Sequence, residues 1–150
     1  MDQVEIKAYC DDYRYQLLAV WEHSVLATHD FLKPSDFEEI KAMVATINFH
    51  DFEVFCLISG GMVLGFIGVA DQKIEMLFLD PKYFGKGLGK KLLHFAVTAL
   101  EANKLDVNEQ NAKALGFYQK FGFDVFERTD KDDQGKDYPL LRMKLSNTIS

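Results

Sequence analysis

DPKYFGKGLGKKLL, residues 80–93, puts three glycines into five positions between an apolar run and a helical one. The run before it, KIEMLFLD, reads as a strand that Pro81 must end, because proline cannot donate to a sheet ladder. The run after it carries Leu88, Leu92, Ala96 and Leu100 at helical spacing, which predicts a long amphipathic helix to about Asn103. Gly85, Gly87 and Gly89 admit backbone angles closed to other residues and let peptide groups approach a ligand. Amides at a helix start, with the positive end of the helix dipole behind them, can hold a phosphate. A glycine-rich turn can also merely connect two elements; a strand before and a helix after favour anion binding. The nucleotide loops of known spacing fail on arithmetic. A Walker A loop would need glycine at Phe84 and Ser or Thr at Lys91, and Gly85-x-Gly87-x-Gly89 lacks the spacing of a dinucleotide fingerprint.

Outward from the loop, EVFCLIS, the Gly60-Gly61 turn and MVLGFIGVA form a hairpin signal, so KIEMLFLD is the third strand in succession. Upstream, VEIKAY alternates as a first strand. Asp11 or Asp12 can cap a helix carrying Leu17, Leu18, Trp21 and Val25, which THDFLKP interrupts. Ser35-x-x-Glu38 then reads as a capping box opening a second helix. Downstream come KLDVN as a short strand, NAKALGFYQKF as a helix, and FDVFERT and the YPLLRMKL segment as two closing strands, antiparallel to each other. The strand–helix–strand unit over 73–108 should be parallel with a right-handed crossover. The expected class is α/β with a mixed central sheet, in one domain over 1–150 with a polar tail from about 146.

With 150 residues, 48% apolar and 27% charged, the chain can bury a core without metal or disulfide. A formal charge of −6 argues against nucleic acid as partner, whose binding runs on Lys and Arg, and suits a cationic small molecule or peptide. Cys10 and Cys56 form no CxxC pair, and His23, His29, His50 and His94 show no ligand spacing, so no metal is expected. The start lacks a signal-peptide pattern and the apolar run 62–70 is too short for a bilayer, so the reading is cytoplasmic, with no membrane partner.

A second motif, DVNEQNAKALGFYQKFGF, spans residues 106–123. Asn111 and Tyr118 lie seven residues apart, about 10.5 Å along one helix face. They could serve two points of an extended ligand; equally, Asn111 could bond its own helix start and Tyr118 pack as a half-buried aromatic. The two motifs in this order and spacing resemble the GNAT superfamily of N-acetyltransferases, in detail over 74–123 and in element order over the whole chain. SVLATHDFL also looks like a subgroup of small bacterial single-domain GNAT enzymes.

The resemblance implies the GNAT fold: a mixed sheet of six to seven strands with a splayed parallel pair and about four helices. The segment Leu77, Phe78 and Leu79 would part from 106–108 to admit the pantetheine arm of acetyl-CoA. The loop Phe84, Gly85, Lys86, Gly87, Leu88, Gly89 and Lys90 would hold the pyrophosphate, Asn111 would bond the pantetheine, and Tyr118 would sit beside the sulfur as general acid. Phe84 departs from the Arg or Gln usual at that position, which would weaken the grip. The implied reaction is direct attack of a primary amine on acetyl-CoA in a ternary complex. A non-catalytic acyl-CoA sensor or scaffold is the alternative. Glu75, on the strand flanking the cleft and expected to point opposite to Met76, is the first candidate base, or a solvent-facing acid. His29, Asp30 and Phe31, between the first two helices, are candidates for the acceptor side, with His29 and Asp30 as further bases, though they could simply cap a helix end. The oxyanion would meet backbone N–H of a bulged third strand near Leu77. The acceptor would be a small-molecule amine, a peptide or protein lysine, or an amino terminus, and the protein a monomer or homodimer.

Overall fold

The computed structural model describes residues 3–146, so the expected polar tail lies almost wholly outside the described residues. The elements run β1 (Glu5–Ala8), α1 (Arg14–Thr28), α2 (Pro34–Val44), β2 (Glu53–Ser59), β3 (Met62–Ala70), β4 (Lys73–Leu79), α3 (Leu88–Thr98), β5 (Lys104–Asn108), α4 (Ala112–Phe121), β6 (Phe123–Thr129) and β7 (Leu140–Leu145). Short 3₁₀ turns at Asp11–Tyr13 and Pro81–Tyr83 precede α1 and follow β4. The seven strands form one sheet in the order β1-β2-β3-β4-β5-β7-β6, antiparallel except for the β4–β5 pair.

Alternation along the strands feeds two cores. Leu57, Ile67, Ile74 and Leu105 pack with Leu92 and Leu93 of α3 on one face. Val54, Cys56 and Phe66 pack with Leu17, Trp21 and Val25 of α1 on the other. Because β3 is buried on both faces, it reads as a near-continuous apolar run rather than an alternating one.

Three local expectations give way to tertiary demands. Neither Asp11 nor Asp12 caps α1, whose N-cap is Tyr13 with no side-chain bond; Asp11 instead accepts from the Tyr9 hydroxyl at 3.2 Å and pairs with His50 at 2.9 Å. The capping box at Ser35 does not form. Pro34 occupies the first helical turn with its φ already set, so the cap falls on Lys33, whose N–H donates to the Tyr138 hydroxyl at 3.1 Å. Finally, α3 stops at Thr98 rather than near Asn103. Glu101 turns left-handed at φ 58°, Ala102 drops into the core at 1% exposure, and the Asn103 N–H reaches Gln72 O at 2.8 Å. That last bond sets β5 beside β4.

One irregularity positions the site. Along β3 and β4, Gly68 pairs with Met76 and Val69 with Ile74, leaving Glu75 as an extra residue on β4. This bulge resets the alternation: Ile74, Leu77 and Leu79 face α3, while Met76 and Phe78 face α1.

Candidate active site

The parallel pair is zipped for two residues only, Lys73 with Lys104 and Ile74 with Leu105. Past Ile74, β4 continues to Leu79 bonded to β3 alone, and β5 continues to Asn108 bonded to β7 alone. The two edges therefore face each other with bare peptide groups, as the splayed pair expected from the sequence requires. The bulge at Glu75, two residues before Leu77, stands where the strands separate, since an extra residue bends and twists its strand. A cleft of about 810 Å³ fills the wedge, bounded by Met76–Leu79 on one side, Leu105–Asn108 on the other, and α4 across it.

The glycine loop closes one end of the cleft. Gly85 and Gly87 both take φ +77°, and a Cβ added at either would meet nothing within 4 Å, so conformation rather than crowding requires glycine there. Gly87 is the N-cap of α3 and supplies no side-chain cap. The first backbone bond of the helix runs from Lys91 N–H to Gly87 O at 3.1 Å. The amides of Leu88, Gly89 and Lys90 thus precede any helical carbonyl they could reach, as in a helix terminus that binds anions. Phe84, Gly85, Gly87, Leu88, Gly89 and Lys90 all line the cleft. Lys86 does not and is exposed to solvent.

From α4, Asn111, Ala114, Phe117 and Tyr118 line the opposite wall. Asn111 caps its helix, its Oδ1 accepting from Ala114 N–H at 3.2 Å, so the amide Nδ2 is what it can offer a ligand. The half-buried Tyr118 ring packs against Phe117 and Phe123, at centroid distances of 5.3 and 6.2 Å. Burial pushes its phenol above the usual 10.0, so the hydroxyl holds its proton at neutral pH.

A smaller cavity of about 280 Å³ opens from the α1 and α2 side. Its walls are apolar where Trp21, Val25, Leu32, Ile40 and Phe78 contribute, and acidic where Asp132 and Asp133 of the β6–β7 loop stand. His29, Ile74, Glu75, Phe78, Asp106 and Asn108 line both spaces, so the two meet at the point where β4 and β5 part. Glu75 sits there with its carboxylate 3.7 Å from Lys73 Nζ, which also bonds Asp106 at 2.8 Å. His29 is held by Thr28, with Nδ1 2.7 Å from Oγ1. Burial lowers its pKa below 6.5 despite the opposing pull of Asp30. Asp30 and Phe31 line neither space: Asp30 is exposed, and Phe31 packs against His29 and Tyr138 at 5.2 and 6.0 Å.

Several lining residues have no motif to announce them. Tyr138 donates to Asp36 and accepts from Lys33 N–H, tying the β6–β7 loop to α2 across 102 positions of sequence. Asp106 receives Lys73 and, at 2.7 Å, Arg142. Asn108 marks the free end of β5, and only its place after a short strand beside the α4 motif could have pointed to it. Among the described residues, no group of three or more His, Cys, Asp or Glu side chains could hold a metal ion, and no helix is long and apolar enough to cross a membrane.

The sequence profile of the "Acetyltransferase (GNAT) domain" matches residues 9–146. This chain belongs to the GNAT acetyltransferases. A relative in Salmonella typhimurium, "Peptidyl-lysine N-acetyltransferase YjaB", is 38% identical over 128 residues, 85% of this chain and 88% of its own. The solution structure of apo YjaB from Escherichia coli superposes with a TM-score of 0.88 at 33% identity, covering 97% of this chain and 99% of that one. A PaiA N-acetyltransferase from Thermoplasma acidophilum, solved in complex with coenzyme A, shares the fold at a TM-score of 0.72 and 21% identity, over 95% and 99% of the two chains. The chain is therefore an acyl-CoA-dependent acetyltransferase that moves an acetyl group from acetyl-CoA to an amine. The wedge, its bare strand edges and the uncapped start of α3 suit the long arm and diphosphate of that donor. Nothing in these likenesses supports the non-catalytic sensor or scaffold.

Proposed function

We propose that this acetyltransferase takes the side-chain amine of a peptide or protein lysine as its acceptor. The observation that carries the reading is the smaller cavity: an apolar slot walled by Trp21, Val25, Leu32 and Phe78, with Asp132 and Asp133 beside it, leading to the strand junction. A lysine presents the matching chemistry, a four-carbon stem that buries well and a cationic head that needs acidic company. The peptidyl-lysine specificity in the name of the 38% identical relative supports the same acceptor.

In this reading acetyl-CoA and the amine bind together, from opposite sides of the sheet. Amides 88–90 hold the diphosphate, the free edge of β4 and Asn111 bond the pantetheine arm, and the backbone N–H near Leu77 meets the oxyanion. Tyr118, which keeps its proton at neutral pH, returns it to the departing sulfur. Glu75 and His29, both at the junction, are the groups able to receive the ammonium proton. Attack is direct rather than through an acyl-cysteine. Neither Cys10 nor Cys56 lines either space, and burial pushes the Cys56 thiol up to about 12. The two free thiols suit a reducing cytoplasm, and the formal charge of −6 favours a cationic peptide over nucleic acid.

The test is CoA release from acetyl-CoA over three acceptors: a lysine peptide with blocked amino terminus, a lysine-free peptide with a free amino terminus, and spermidine. The lysine peptide should give the highest kcat/KM. Acetyl-CoA binding without release on any amine would defeat the catalytic reading, and turnover confined to the other two acceptors would defeat the lysine assignment alone.

A further inference from the structure

Two candidates for the base stand at the junction, and their surroundings differ. Glu75 is the bulged residue of β4, exposed, with the Lys73 ammonium 3.7 Å from its carboxylate. That carboxylate is already paired with the Lys73 ammonium and, among the described residues, fixed by no other side chain. His29 is partly buried at the end of α1, and its hydrogen bonds settle which of its nitrogens carries the proton. Thr28 Oγ1 lies 2.7 Å from Ser24 O, an acceptor only, so the single hydroxyl proton must go there. The same Oγ1 lies 2.7 Å from His29 Nδ1. Having spent its proton, the hydroxyl can only accept, so Nδ1 must be the donor. In the neutral ring, Nε2 is then left with a bare lone pair.

The ring's wider electrostatic setting is mixed. Asp30 adjoins it in the chain, and Lys73 and Glu75 of β4, Asp106 of β5, and Asp132, Asp133 and Tyr138 of the β6–β7 loop line the same cavity. Of these, Asp30 acts on the ring by charge, and burial outweighs it, so the ring is neutral at physiological pH.

We propose that His29 is the general base of this enzyme: Nε2, bared by the Ser24–Thr28–His29 hydrogen-bond chain, takes a proton from the acceptor ammonium where the two cavities meet. Thr28 acts through His29 and is a positioning residue. The proposal rests on the transfer of an acetyl group to an amine and holds for any amine that enters from the smaller cavity. The protons balance as follows. His29 removes one from the ammonium. The amine nitrogen then bonds the thioester carbon, and the C–S bond breaks as Tyr118 protonates the sulfur. The nitrogen's second proton restores the Tyr118 phenol, and His29 passes its own to water. The products are the amide, free thiol and one proton to solvent.

The experiment joins nitrogen-15 NMR of the histidine rings in the full chain to kinetics of single variants. At pH 7.5 the wild-type His29 ring should be neutral with the proton on Nδ1, and Thr28→Val should move it toward Nε2. His29→Gln should lower kcat by about 100-fold, the scale of a lost general base, with acetyl-CoA affinity within twofold. The wild-type kcat should fall as pH drops through the His29 titration below 6.5. Glu75→Gln should keep that inflection and His29→Gln should lose it. Should His29→Gln fail to fold, Thr28→Val carries the test, with kcat down about tenfold and Thr28→Ser restoring it. A ring protonated on Nε2 in the wild type, or a rate within threefold of wild type in His29→Gln with the inflection intact, overturns the proposal. A wild type that binds acetyl-CoA but acetylates no amine would strike at the function itself, and the ring's protonation would still be read independently.

Discussion

Replacing Gly87 with alanine separates the two uses of the glycine loop. A Cβ at this position would meet nothing within 4 Å, so the substitution adds no clash to the protein itself. Its cost in the fold is conformational: at φ +77° an alanine pays roughly 1–2 kcal/mol. For a domain of this size each kcal/mol shifts the melting temperature by about 2–4 °C, so a fall of about 2–8 °C is expected. If the loop relaxes toward ordinary angles instead, the amides at the start of α3 turn away from the wedge. One charge-assisted hydrogen bond to the diphosphate is worth about 1.5–3 kcal/mol, so CoA should then bind roughly 10- to 150-fold more weakly. Gly89→Ala is the internal control. It sits within α3 at ordinary helical angles, with its added Cβ 3.7 Å from Phe117 Cζ, so it should stabilise the fold by about 0.5–1 kcal/mol. Melting curves and calorimetric titration of CoA on both variants give the two readouts. A Gly87→Ala protein with an unchanged melting temperature, its loop therefore relaxed, and wild-type CoA affinity would refute the backbone cradle.

Other outcomes follow from the remaining geometry. Tyr118→Phe should reduce turnover at least tenfold with little change in acetyl-CoA affinity; an unchanged rate would remove Tyr118 as the acid. Of the two free thiols, exposed Cys10 should react with a thiol reagent in the native protein, while Cys56, buried and pushed up to about 12, should react only in denaturant. Tyr138→Phe removes the hydroxyl that links Asp36 to the Lys33 amide, so the KM for the amine should rise several-fold while CoA affinity holds. The Tyr138 bond, and then Lys136, hold the Asp36 carboxyl below its ordinary 3.8. A depressed carboxylate stabilises the fold above its unfolded pKa, so the melting-temperature gap between wild type and Tyr138→Phe should persist above pH 3.8 and close as pH falls through the lower, folded value.

What the sequence alone determined is the set of features with short-range physical causes. The strand–glycine–helix join at 80–93 is legible because positive φ demands glycine and Pro81 cannot extend a ladder. The α4 motif is legible because Asn111 and Tyr118 share a helix face whatever surrounds them. Those two stretches carry the resemblance that gave the class of reaction, and all of their candidate donor-site residues except Lys86 line the wedge. The tertiary structure decided everything that depends on distant partners. α3 ends at Thr98 because Asn103 must reach Gln72, and β7 enters the sheet between β5 and β6, an order that no periodicity encodes. The extra residue at Glu75 becomes a bulge only against Gly68 and Val69 of β3. The smaller cavity is drawn from α1, the α1–α2 connection, α2, β4, β5, the β6–β7 loop and the start of β7, so its lining becomes visible only once long-range packing has brought those pieces to one place.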